Sequence, residues 1–83
     1  MFINKTASGA NNICGRNVYR FRKDLGISQR ELADRLQIQG LDVDKNAIQR
    51  IEAGKRFVTD IELLSLAAVF AKSVDALLGV EQK

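Results

Sequence analysis

The chain has 83 residues, of which 46% are hydrophobic and 28% charged, enough for one small folded domain and too apolar for disorder throughout. It has no histidine and a single cysteine, Cys14. That excludes a His/Cys zinc site, Ser-His or Cys-His catalysis and an internal disulfide, and it suits a reducing cytoplasm.

The net charge is +3, but it is unevenly placed. Up to Val58 there are eleven Lys or Arg against six Asp or Glu, and from Thr59 onward two against four. The asymmetry suits a face meant for a polyanion, and ordinary solubilising charge would look similar. No run approaches the roughly 18 apolar residues of a membrane span, and the N-terminus lacks the apolar block of a secretory signal. A cytoplasmic chain without membrane contact is therefore expected. No Gly-rich phosphate loop is present, so no enzyme activity, cofactor or small-molecule substrate is expected either.

Residues 1–12 mix small and polar types without a period and read as a flexible arm, or as one extra turn docked by Phe2 and Ile3. Asn11 or Asn12 suits the cap of a first helix, in which Cys14, Val18, Phe21 and Leu25 share one face and Gly26 ends the run. Ser28 starts a second helix through a Ser28–Glu31 capping box, with Ile27 and Leu32 as its hydrophobic staple and Leu32, Ala33 and Leu36 as its buried stripe.

A link over Gln37–Val43 follows, broken by Gly40, with Ile38, Leu41 and Val43 expected to turn inward. Asp44 caps a third helix that buries Ala47, Ile48 and Ile51 and ends at Gly54. After the basic loop Lys55–Val58, a second box at Thr59–Glu62 opens a strongly apolar fourth helix. Its core residues are expected to be Ile61, Leu64, Leu66, Ala67, Ala68 and Phe70. Ser73 caps a short fifth helix with Val74, Leu77 and Leu78 inward, ending at Gly79. The expected fold is all-α, a compact five-helix domain over 13–80 with a tail at 81–83.

The order of these pieces carries a resemblance. Val18-Tyr19-Arg20-Phe21-Arg22, Gly26-Ile27-Ser28-Gln29, Glu31-Leu32-Ala33, Ile48 through Arg56, and Leu63-Leu64-Ser65-Leu66-Ala67 together resemble the repressor-like helix-turn-helix family, of the phage lambda and Cro repressor or XRE type. The match covers about 65 of the 83 residues. The resemblance implies a DNA-binding regulator, a repressor acting as a homodimer on a two-fold site, with the third helix in the major groove of duplex DNA.

Family position and helix geometry together nominate Lys45, Asn46, Gln49 and Arg50 as base readers. Asn and Gln suit adenine, while Lys and Arg suit guanine. By the same resemblance Gln29, Lys55 and Arg56 hold phosphates. Arg22 and Glu52 form a partly buried ion pair between the first helix and the end of the third, and Ala33 is small where the recognition helix crosses. The apolar segment Val74–Val80 is the expected dimer contact. The long link between helices two and three departs from the family pattern and bears on how deeply the third helix docks. A protein-interaction module of the same fold, antitoxin-like, is the alternative reading.

Overall fold

A computed structural model describes residues 4–80, so Phe2, Ile3 and the 81–83 tail lie outside the described residues. The described part is all-α: α1 Gly15–Leu25, α2 Gln29–Ile38, α3 Lys45–Glu52, α4 Asp60–Phe70 and α5 Val74–Leu78.

Each helix starts where a side-chain oxygen meets an otherwise unpaired first-turn amide. The Ser28 hydroxyl accepts from Glu31 N at 3.0 Å, Asp44 Oδ1 from Ala47 N at 2.8 Å, and Ser73 Oγ from Ala76 N at 3.0 Å. Thr59 and Glu62 form the full reciprocal box, at 3.2 and 2.9 Å. The Glu31 carboxylate instead pairs with Arg35 one turn on, at 2.9 Å. For α1 the N-cap position is Cys14, which makes no side-chain bond, and Asn12 serves in its place, its Oδ1 accepting from Gly15 N at 2.8 Å.

Val18, Leu32, Leu36, Ile48, Ile51, Leu66 and Leu77 fill one core, and Phe21 meets Phe70 edge-on at 5.8 Å between ring centroids. α2 packs on α3, α3 also packs on α1 and α2 on α4, while α1, α4 and α5 pack on one another. Cys14 is buried in this core, and burial pushes its thiol above the ordinary value, as for a small apolar residue.

Five expected core positions differ. α2 continues through Ile38, so that residue points roughly 200° around the helix from Leu36 and is 85% exposed. Leu41 and Val43 do turn inward. Leu25 is exposed because the chain reverses at Gly26, where φ is 70°, and Ile27 takes the buried place. α4 is apolar all round, so its periodicity could not choose a face. Packing selects Leu63, Leu66, Ala67 and Phe70, leaving Ile61 and Leu64 exposed, with Ala68.

α1 begins against the end of α3. A Cβ on Gly15 would collide with the carbonyl oxygen of Ile51, and that oxygen belongs to backbone that cannot swing aside. Gly15→Ala is therefore expected to destabilise by about 1–3 kcal/mol through overpacking. Helix propensity alone favours alanine by up to about 1 kcal/mol. Urea denaturation checks this; a stabilised variant would disprove the close approach.

Candidate nucleic-acid interface

With Ile48 and Ile51 buried, α3 has one side fixed inward, and Lys45, Asn46, Gln49 and Arg50 all stand exposed on the other. Both ends of the helix are held. Ahead of it, Gln37 Nε2 donates to Val43 O at 2.7 Å, and Asp44 caps. That bond braces the link from within, so Gln39–Val43 is bound to the end of α2 rather than left as free loop. Asp42 and Asp44 are both exposed near this end, though the Asp44 carboxylate is committed to the Ala47 amide.

The far end of α3 is held by charge. Arg22 reaches Glu52 through Nε to Oε2 at 2.7 Å and Nη2 to Oε1 at 3.0 Å, while Nη1 donates to Ile27 O at 2.9 Å. The two side chains are 8% and 6% exposed. The hydrogen bonds to Glu52 hold the guanidinium above its usual pKa against desolvation. Gln29 Nε2 donates to the same Glu52 Oε1 at 3.0 Å. Gln29, expected to hold a phosphate, thus has one donor committed to the ion pair. It still lines a cleft of about 730 Å³ at the N-terminus of α2, beside Lys23, Arg30 and Lys45.

The basic loop divides its two cations. Lys55 is exposed. Arg56, expected to hold a phosphate, is engaged within the chain: Nη1 and Nη2 grip the Glu62 carboxylate at 3.0 and 2.9 Å, and Nη1 also donates to Phe57 O at 3.0 Å. Its guanidinium thus has a structural partner, which the capping box at Thr59 positions. The hydrogen bonds from Arg56 hold the Glu62 carboxyl below its usual range despite burial, with the Thr59 amide adding to them.

Sequence reasoning missed Gln37, the Arg56–Glu62 pair and most of Asn12. Asn12 was legible as a cap, but its Nδ2 also donates to Ile51 O at 3.1 Å and Arg56 O at 2.8 Å, some 40 residues along the chain. No local pattern encodes such a pairing. Among the described residues, no cluster of acidic or cysteine side chains is placed to hold a metal ion, and no helix is long and apolar enough to cross a membrane.

The helix-turn-helix family model HTH_3 matches residues 18–77, well over half of the chain, and the chain belongs to that family, as a repressor-like member. Its fold is similar to that in the crystal structure of the P22 c2 repressor protein in complex with synthetic operator 9T in the presence of Tl+. The TM-score is 0.71 at 26% identity, covering 84% of this chain and 98% of that one. No curated protein matches.

Two outcomes follow from the ion pairs. Glu52→Ala leaves Arg22 desolvated and unpaired, and is expected to cost about 3–5 kcal/mol, whereas Arg22→Met with Glu52→Leu should recover much of it. Denaturant midpoints of the three chains decide this; equal losses in the single and double variants would remove the unpaired charge as the cause. For Glu62, a folded pKa below the unfolded value means stability is complete above about pH 4.3 and is lost as pH falls through the lower folded value. Glu62→Gln should therefore flatten the acid limb of the stability–pH curve, while parallel limbs for variant and parent would contradict the assignment.

Proposed function

We propose that this chain binds duplex DNA sequence-specifically as a small transcriptional regulator, a repressor, with α3 in the major groove. The observation that carries the reading is the exposed set Lys45, Asn46, Gln49 and Arg50 on a helix held at both ends. A rigid helix presenting amide and cationic side chains matches the donor and acceptor pattern of base edges. The structural neighbour, a repressor bound to its operator, supports the same use of the fold.

Phosphate contact falls to Lys55, to the amides opening α2, and, with the capacity their internal partners leave, to Gln29 and Arg56. A single reading head covers half a site, so a homodimer is proposed. The segment Val74–Val80 is a weaker interface than the sequence suggested, because Leu77 is fully buried and Val74 and Leu78 pack against the core. Apolar side chains open to a second copy include Ile38, Val80, and Ile61 with Leu64 one turn apart on α4. The exposed Ile61 and Leu64, neighbours on α4, favour the second reading, a protein-interaction module, since exposed apolar groups suit a partner chain.

Selection from a random duplex pool, followed by salt titration, separates the two. Lys55→Ala should weaken all duplexes alike and lower the salt slope by about 1. Gln49→Ala should instead change which base is preferred, at about 1–3 kcal/mol for the lost contact. Failure to enrich any sequence, or binding indifferent to salt, would favour the protein-partner reading.

A further inference from the structure

The geometry points to Asn12 as a positioning residue for DNA docking, acting through the loop that carries Lys55; the inference rests on the function proposed above. Four backbone carbonyls at the end of α3 are taken by two adjacent asparagines. Asn12 Nδ2 donates to Ile51 O at 3.1 Å and Arg56 O at 2.8 Å, using both of its amide protons. Asn11 donates from its backbone N to Gly54 O at 2.7 Å and from Nδ2 to Lys55 O at 2.9 Å. Three successive carbonyls, at 54, 55 and 56, are therefore held by one dipeptide.

The clamp is itself anchored. Asn12 Oδ1 accepts from Gly15 N at 2.8 Å, so the carbonyls are referred to the start of α1, and the absent side chain at Gly15 lets that start approach Ile51. The arm also packs on the loop, since a Cβ on Gly54 would press on Ala10. The Lys55 amide is bound as well, donating to Arg50 O at 2.9 Å. With its N–H and C=O both fixed, Lys55 starts from a set backbone position, and what remains free is its side chain. A mobile loop would have to be ordered on binding, and that ordering lowers affinity. Asn12 shares in removing that cost beforehand: it holds the carbonyl of Arg56, next in the chain, while Asn11 holds that of Lys55 itself.

A merely structural role, capping α1, predicts something different, and Asn12→Ser tells them apart. Serine keeps an uncharged acceptor for Gly15 N and loses the two long-range donations. Hydrogen exchange of the free protein should then speed up in residues 53–57 while core amides of α1 and α2 hold their rates. Affinity for the selected duplex should fall about five- to tenfold, the scale of one lost loop-fixing hydrogen bond. Lys55→Ala should cost less in the Asn12→Ser background than in the parent, since the loop then loses its hold at the Arg56 carbonyl next to the lysine.

Uniformly faster exchange, or strictly additive losses in the two backgrounds, would overturn the positioning role. If the parent chain binds no selected duplex, the proposed function fails and the docking role with it. In that case the exchange data still show whether the clamp holds the loop.

Discussion

Among the described residues, the Arg22–Glu52 pair joins more of the molecule than any other contact between side chains. It ties α1 to the end of α3, takes in the carbonyl of Ile27 from the turn between α1 and α2, and draws Gln29 from the first turn of α2. Two charges this far out of water are costly to leave unpaired, and their Coulombic attraction repays desolvation only when geometry is good. The pair therefore acts less as a source of stability than as a constraint. Any arrangement of α3 that separates Arg22 from Glu52 leaves a charge stranded. The outward aim of Lys45, Asn46, Gln49 and Arg50 depends on that constraint, because it fixes the roll and position of the helix that carries them.

Around this centre, polar side chains secure backbone that no helix can satisfy. Gln37 holds Val43, and Asn11 and Asn12 hold the carbonyls beyond α3. Arg56 does the same for the entry to α4, through Glu62 and Phe57 O. One consequence is electrostatic. The basic character counted along the loop overstates the charge available to a polyanion, since Arg56 is largely neutralised by Glu62, and Lys55 is left as the loop's exposed cation.

Most of the fold was legible locally. Ser28, Asp44, Thr59 and Ser73 cap the helices they precede, and Gly26 and Gly79 follow the helices they end. The stripes of α1, α2 and α3 sit where a 3.6-residue period puts them, apart from Leu25. Legibility failed where a local signal was degenerate. α4 is apolar on every side, so Ile61 and Leu64 could not be told from Leu63 and Leu66. Gly40 marked a break, but nothing short-range said that α2 would run on to Ile38.

What the sequence by itself determined is the set of helices, their starts and the exposed polar face of α3. Capping bonds and amphipathic periods act over three or four residues, and the chain carries both partners side by side. What only the tertiary structure decided is the use of the polar residues. Gln29 turned to Glu52, Arg56 was taken by Glu62, and Asn12 reached Ile51 and Arg56. A guanidinium or an amide has no intrinsic preference between phosphate, carboxylate and carbonyl. The partner brought within about 3 Å by packing decides, and in most of these pairs it comes from a distant part of the chain.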